Sequence, residues 1–193
     1  SVGGHEGGYT EFVLDVTGRV RAGRNLLAVE VDNRAAIMRL PAVLGYFNYG
    51  GIHRDVTLEI HDRAALADVF LNGEPLATGG RLVVRGRVVG RADGLAVWVR
   101  CGESEAASIV APTGEFLVDL PVPGASAWSP RSPRLYPATV SLRAGETELD
   151  RGEWRAGFRR IEVRGREIWL NGGPLRLKGV CHVHDSPVRG LAL

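Results

Sequence analysis

The heptapeptide LAVWVRC at residues 95–101 decides the fold class, because its side chains alternate with a period of two. Leu95, Val97 and Val99 fall on one face of an extended segment, and the residues between them fall on the other. This pattern is typical of a strand that buries one face in a core. We therefore predict a β-strand here, with Cys101 as an unreactive core or edge residue.

Similar apolar runs occur on both sides of this stretch at short, regular spacing. Seven candidates lie between residues 63 and 163, at 66–71, 82–89, 95–101, 115–122, 139–143, 147–149 and 158–163. This number over about 100 residues is typical of an immunoglobulin-like sandwich. The segment WSPRSPRLYP at 128–137 must be extended because it is rich in proline, and we expect Trp128 and Tyr136 to anchor it to the sandwich.

The two flanking parts of the chain also have β character. Half-buried strands are predicted at 12–16, 26–31 and 56–60, with a long aromatic loop at 32–51. Towards the C-terminus, runs at 167–170 and 175–180 enclose an Asn-Gly-Gly-Pro turn. The second run leads into His182, His184 and Asp185, and clustered ionisable groups at a strand end indicate a site. No helix of three turns is predicted, so the predicted fold class is all-β.

Composition excludes several classes of protein. A net charge of +2 gives no support for nucleic-acid binding, and two distant cysteines indicate neither a disulfide scaffold nor a structural zinc site. No apolar run reaches the roughly 18 residues needed to cross a bilayer, and no signal peptide opens the chain. We expect an excised piece of a longer protein, since the chain starts without Met and stops abruptly. A cytoplasmic location is favoured over secretion, but the sequence does not fix the compartment.

Four motifs in this order resemble glycoside hydrolase family 2, the β-galactosidase and β-glucuronidase family. They are GGHEGGYTEF at 3–12, FNYGGIHRDVTL at 47–58, WSPRSPRLYP at 128–137, and GFRRIEV with LNGGPLRLKGV within 157–180. The resemblance implies the C-terminal half of a jelly-roll sugar-binding domain over residues 1–62. It further implies an immunoglobulin-like sandwich over 63–163 and the start of a (β/α)8 barrel over 164–193.

The resemblance also implies a retaining, exo-acting β-glycosidase that uses two glutamates, one of them directly after an Asn. No Asn-Glu pair occurs in the sequence, so the piece is predicted to contain no catalytic residue and to be inactive alone. Two positions depart from the family pattern: Val183 stands where relatives carry a sugar-contacting His, and Gly45 stands where glucuronidase-type relatives carry an Asp. We therefore do not assign galactose or glucuronate.

Six residues are predicted to contact substrate. The first group is Tyr46, Asn48 and Tyr49, which lie in the long aromatic loop at 32–51. These residues are favoured because aromatic faces stack on sugars. The second group is His182, His184 and Asp185 at the expected end of the first barrel strand. His5, His53 and their neighbours are interpreted as structural.

Two other classes of function stay open. The His-x-His spacing at 182–184 also resembles metal-dependent amidohydrolases, although their further ligands are missing. Alternatively, the piece is a stand-alone carbohydrate-binding or structural β-sandwich module, because such folds host both roles.

The family resemblance implies no organic cofactor, and no metal site is assigned here; a divalent or monovalent metal in the complete protein stays open. The expected partners are a carbohydrate substrate and the remaining domains of the same chain, with no nucleic acid and no membrane. Homo-oligomer formation is open.

Overall fold

The computed structural model describes residues 1–34, 50–61 and 63–181. Over these ranges the regular secondary structure is β and no helix is assigned, so the all-β prediction is confirmed. The chain divides into two compact units, Ser1–Thr57 with Val180–Leu193, and Leu58–Gly179. Within these ranges no helix has the length and apolar character of a membrane span.

The strands of the described residues all lie in the second unit. In chain order they are β1 (Ala64–Leu76), β2 (Gly79–Gly90), β3 (Ala96–Cys101), β4 (Ser104–Ile109), β5 (Glu115–Val122), β6 (Tyr136–Ala144), β7 (Thr147–Ala156), β8 (Ile161–Arg164), β9 (Glu167–Leu170) and β10 (Gly173–Leu175).

Strands β1 to β7 form a sandwich of two antiparallel sheets, with strand orders β1-β2-β5 and β4-β3-β6-β7. Alternate residues of both sheets point inward, and the inner faces of β3 and β5 are buried throughout. Val97 and Val99 are fully buried, as the alternation in LAVWVRC predicts, and Cys101 is a core residue. The predicted sandwich is thus confirmed, with six of its seven predicted strands, since stacking the sheets removes one apolar face of each from water.

One of the seven sandwich strands was not predicted. Strand β4 pairs with β3 from Ala96↔Ile109 to Cys101↔Ser104, after a tight turn in which Gly102 has a φ of 61°. Its sequence, SEAASI, contains a single β-branched residue, Ile109, and no aromatic residue, so it carries little of the composition that marks strands. The predicted strand at 158–163 lies outside the sandwich sheets, because only β8, from Ile161, is regular and it belongs to a third sheet.

The third sheet is a small antiparallel meander with the order β10-β9-β8, termed here the hairpin sheet (β8 to β10). Its register places Ile161, Leu170, Val163 and Ile168 on one face. On the other face, the Arg164 guanidinium stacks on the Trp169 ring, 4.3 Å from its centroid. The predicted strand at 175–180 is wrong beyond Leu175: no described segment supplies a ladder for 176–180.

Strand β1, an edge strand of its sheet, is irregular near its middle. Its register with β2 shifts between Ala67 and Phe70, and Asp68 adopts a left-handed φ of 51°. The Asp68 carboxylate pairs with the Arg87 guanidinium on β2. A bulge therefore bends β1 near its middle.

The strands predicted at 12–16, 26–31 and 56–60 are wrong for this structure. No strand is assigned within 1–34 or 50–61, and the apolar side chains expected to be half-buried are exposed, with Leu27 65% and Leu58 64% accessible. A strand requires hydrogen bonds from a neighbouring segment, and none within the described ranges supplies them. The domain boundaries at residues 62 and 163 stay predictions.

Candidate functional site

All six predicted substrate contacts lie outside the described residues. Tyr46, Asn48 and Tyr49 fall in the range 35–49, and the other three, His182, His184 and Asp185, follow residue 181. They stay predictions. The described residues show the scaffold that precedes the second group, from the proline-rich segment 128–137 to the end of β10 at Leu175.

The proline-rich segment 128–137, termed here the strap, is fixed to the sandwich at both ends. At its start, the Trp128 amide donates to the Phe158 carbonyl over 2.7 Å. At its end, the Tyr136 hydroxyl accepts a hydrogen bond from the Ser126 amide over 2.8 Å, and its ring meets Phe158 edge-on at 5.3 Å. The prediction that Tyr136 anchors the strap is therefore confirmed, whereas the hydrogen bond at Trp128 is made by its backbone.

Phe158 is the residue around which the strap and sandwich meet. Its side chain is fully buried, and its backbone forms parallel bridges with Gly73 and Ala127. The ring lies against Gly80, where a Cβ atom would come within 2.3 Å of Phe158 Cδ1. A glycine is required at this position because any side chain would overlap a ring that is enclosed by the core.

Asn171 joins the hairpin sheet to the strap and was not identified from the sequence. Its Oδ1 accepts from the Arg160 amide over 2.9 Å, and its Nδ2 donates to the Trp128 carbonyl over 2.9 Å. Its own amide donates to the Arg160 carbonyl over 2.8 Å. The backbone has a left-handed φ of 50°, which Asn tolerates better than most residues. The available signal was the Asn-Gly turn itself.

The histidines of the opening region make local contacts. His5 Nε2 lies 2.8 Å from Thr10 Oγ1, and the His5 ring stacks on Phe12 with centroids 4.7 Å apart. The His53 ring lies 6.0 Å from that of Tyr9. No group of three or more His, Cys, Asp or Glu side chains in the described residues could hold a metal ion. These contacts agree with the structural interpretation of His5 and His53.

Two pKa shifts follow from the packing of the sandwich. The Ser126 amide, donating to the phenol oxygen, lowers the pKa of Tyr136 from its ordinary value. Burial raises the pKa of the Cys101 thiol. A buried thiol with a raised pKa is a poor nucleophile, so Cys101 is a packing residue and not a catalytic one.

A shallow cleft of about 290 Å³ opens on the surface formed by β6 and β7. It is lined by Pro137, Ala138, Thr139, Glu153, Trp154 and Arg155. Its volume is at the lower limit of about 300 Å³ for small-molecule sites. The Glu153 carboxylate is 3.5 Å from Arg151 in an exposed ion pair, so it is already engaged with a neighbour on its own strand.

Comparison with known proteins gives a consistent relationship. Residues 84–159, from the middle of β2 to Arg159, match the family model for glycosyl hydrolases family 2. A β-galactosidase of Thermoanaerobacter pseudethanolicus is 29% identical over 100% of this chain and 28% of its own length. The chain therefore spans little more than a quarter of that relative.

Two solved structures have the same arrangement of strands. A galacturonate-bound family 2 β-galacturonidase of Eisenbergiella tayi is 34% identical, with a TM-score of 0.64 over 77% of this chain and 28% of that one. A β-glucuronidase of Bacteroides uniformis is 26% identical, with a TM-score of 0.65 over 84% of this chain and 22% of that one. The chain thus spans between a fifth and a third of the length of each.

Proposed function

From the premise that the chain belongs to glycosyl hydrolase family 2, we propose that it is the non-catalytic portion of a retaining, exo-acting β-glycosidase. Its relatives are glycosidases, and the complete protein is proposed to hydrolyse terminal β-linked sugars of the galactoside or glucuronide type. The observation that carries this proposal is the match of the sandwich, residues 84–159, to the family model, together with relatives that extend over the whole chain.

Retention of configuration requires two carboxyl groups about 5 to 5.5 Å apart, one attacking the anomeric carbon and the other protonating the leaving oxygen. Because the sequence contains no Asn-Glu pair, we assign neither role to any glutamate of this chain. Both groups are proposed to lie in the remainder of the protein. Displacement by two carboxylates requires no organic cofactor.

The chain's proposed contribution is part of the wall of the sugar pocket. Tyr46 and Tyr49 offer aromatic faces for stacking on a sugar ring, and Asn48 offers both a donor and an acceptor. His182, His184 and Asp185 are proposed to hydrogen-bond sugar hydroxyls from the end of the first barrel strand. Changes at such polar contacts alter selectivity strongly, because a buried group left unpaired is costly.

Val183 and Gly45 govern which sugar is accepted in this proposal. Val183 is apolar and Gly45 has no side chain, whereas relatives of the family carry a polar residue at each position. Two side-chain hydrogen bonds to the sugar are therefore lost in this proposal. We propose that this pocket discriminates among galactosides and glucuronides differently from the relatives. The domain assignment that goes with it is 1–62 for half of the jelly roll, 63–163 for the sandwich and 164–193 for the start of the barrel.

The test compares the complete protein with the 193-residue chain on chromogenic β-galactoside and β-glucuronide substrates. We expect turnover by the complete protein, with NMR of the first-formed product showing the β-anomer, and none by the 193-residue chain. Hydrolysis by the 193-residue chain would contradict the proposal that it contains no catalytic residue. Binding of sugar without turnover by the complete protein would instead favour a carbohydrate-binding module.

A further inference from the structure

Strand β2 is the central strand of the sheet β1-β2-β5, and its outward-facing arginines differ in their partners. Arg81 and Arg87 form ion pairs with aspartates on the neighbouring strands. Arg85 lies between them and has no acidic partner in the part of the chain that the structure describes. Its guanidinium lies over the Phe70 ring instead, 5.0 Å from the centroid. This surface of the sandwich therefore carries a cation without a counter-charge.

Exposed apolar side chains surround this cation. The register places Phe70, Arg85 and Leu117 in one row across the outward-facing side of β1, β2 and β5, termed here the outer face. Phe70 is 52% and Leu117 is 58% exposed, and Val89, further along β2, is 46% exposed. Arginine and aromatic residues are enriched at the centres of protein interfaces, where they provide much of the binding energy. The outer face thus has the composition of a protein-binding surface.

The outer face also carries a carboxylate without an ion pair. Glu115 begins β5, faces outward like Leu117, and is the diagonal neighbour of Arg85 in the register. Its carboxylate accepts a long hydrogen bond, 3.4 Å, from the Thr113 hydroxyl and has no cationic partner among the described residues. Diagonal neighbours are about 7 to 8 Å apart, and the Arg85 side chain is directed towards β1, away from Glu115. The face therefore presents a cation and a carboxylate that are not paired with each other.

We propose that the outer face is a docking surface for a second copy of this chain, related to the first by a two-fold axis. Such an interface requires a self-complementary surface, because every contact from one residue to another is repeated in the opposite direction. An axis in the plane of the interface, midway between Arg85 and Glu115, places each Arg85 opposite Glu115 of the other copy. This inference goes beyond the proposed function and does not depend on it.

The same axis brings apolar side chains of the two copies together. From the strand spacing and register, Leu117 lies beside the axis and meets its own counterpart, and each Phe70 is directed towards Val89 of the other copy. Arg87 also lies near the axis, but its ion pair with Asp68 neutralises its charge. Burial of the apolar side chains stabilises the dimer, and the two ion pairs fix its orientation.

The experiment measures the dimer dissociation constant of the 193-residue chain by sedimentation equilibrium, in Arg85→Glu, in Glu115→Arg and in an equimolar mixture of the two variants. In a dimer of either variant alone, both ion pairs become like-charge contacts. We therefore expect the dissociation constant to rise by at least about tenfold. A mixed dimer has one pair in the original sense and one reversed, so both are attractive. Its dissociation constant is expected to lie within about threefold of that of the unsubstituted dimer.

Arg100 and Glu105 provide a matched control. They form an ion pair of 3.2 Å on the outward-facing side of the other sheet, so reversing either charge alters a similar pair away from the outer face. Arg100→Glu, Glu105→Arg and their mixture should leave the dissociation constant within about twofold. Leu117→Asp places a charge beside the axis and should prevent dimer formation in the single variant and in mixtures with the unsubstituted chain.

Recovery of dimers on mixing distinguishes the proposed contact from loss of the fold, since a misfolded variant would not regain affinity from a second one. A chain that stays monomeric at the highest concentration reached would overturn the proposal. A dimer that neither charge reversal at the outer face weakens would also overturn it, because association would then use another surface. Weakening in both single variants without recovery in the mixture would exclude the pairing of Arg85 with Glu115 and overturn the proposal as well.

Discussion

The Phe158 ring lies directly against the backbone of Gly80, so that a Cβ atom at Gly80 would be 2.3 Å from Phe158 Cδ1. Phe158 has no exposed surface and cannot move aside. We therefore expect Gly80→Ala to destabilise the sandwich by about 1 to 3 kcal/mol through overpacking, measured by urea unfolding. Gly173→Ala is the control, since a Cβ atom there would lie at an ordinary 3.7 Å from its nearest neighbour, the Leu170 carbonyl oxygen. Equal stability of the two variants would show that the ring is not tightly enclosed.

Removal of the Tyr136 hydroxyl tests the anchor of the strap. In Tyr136→Phe the Ser126 amide loses its acceptor, while the ring contact with Phe158 is preserved. We expect a loss of about 1 kcal/mol in the free energy of unfolding. Tyr136→Leu, which also removes the ring contact, should cost more. If Tyr136→Phe leaves the free energy of unfolding unchanged, the hydrogen bond to the hydroxyl is no more stabilising than the hydrogen bonds to water that replace it.

The ion pair of Arg81 and Asp119 predicts a specific dependence of stability on pH. The hydrogen bond from Arg81 lowers the pKa of Asp119 below its unfolded value near 3.8, so the folded state favours the charged carboxylate. This contribution is present above the unfolded pKa and is lost as pH falls through the folded one. The free energy of unfolding of the wild type should therefore slightly exceed that of Asp119→Asn at pH 6. This difference should decrease below pH 4.

The pair is exposed, and salt should reduce this difference. In an Arg81→Gln background, Asp119→Asn should have almost no effect at any pH. A difference that grows towards acid, or that survives the loss of Arg81, would contradict the assigned cause.

The two cysteines should differ sharply in reactivity. Cys101 is buried and its pKa is raised, whereas Cys181 is exposed. One equivalent of a thiol reagent should therefore react rapidly with the native chain and a second only on unfolding. Native Cys181→Ser protein should be unreactive. Rapid labelling of Cys101 in that variant would show that the core opens far more readily than the structure implies.

Sequence reasoning worked best where burial imposes a local period. Val97 and Val99 could be placed in the core because alternation with a period of two is visible within a few residues. Strand β4 was missed since Ser104–Ile109 pairs through its backbone and carries few apolar side chains. Backbone pairing leaves no comparable trace in the sequence.

The connections between segments could not be predicted for a different reason. Asn171 and Trp128 are 43 residues apart, and their bond depends on how a turn and a strap meet in space. Local patterns indicate the turn at Asn171 but not its partner. Strand spacing and proline content indicated the sandwich and the strap, while the predicted sugar contacts fall on residues outside the described ranges.

The bulge in β1 has a consequence for the chain's behaviour in concentrated solution. An unpaired strand at the border of a sheet is a template on which other chains can add, and long flat borders seed fibrils. Between Ala67 and Phe70 this border is kinked, and it carries the Asp68 carboxylate paired with Arg87. The register shift interrupts the regular alternation of backbone groups that a second chain would need to continue its ladder. The kink at Asp68 thereby limits self-association along β1 while leaving the inner face of the strand in the core.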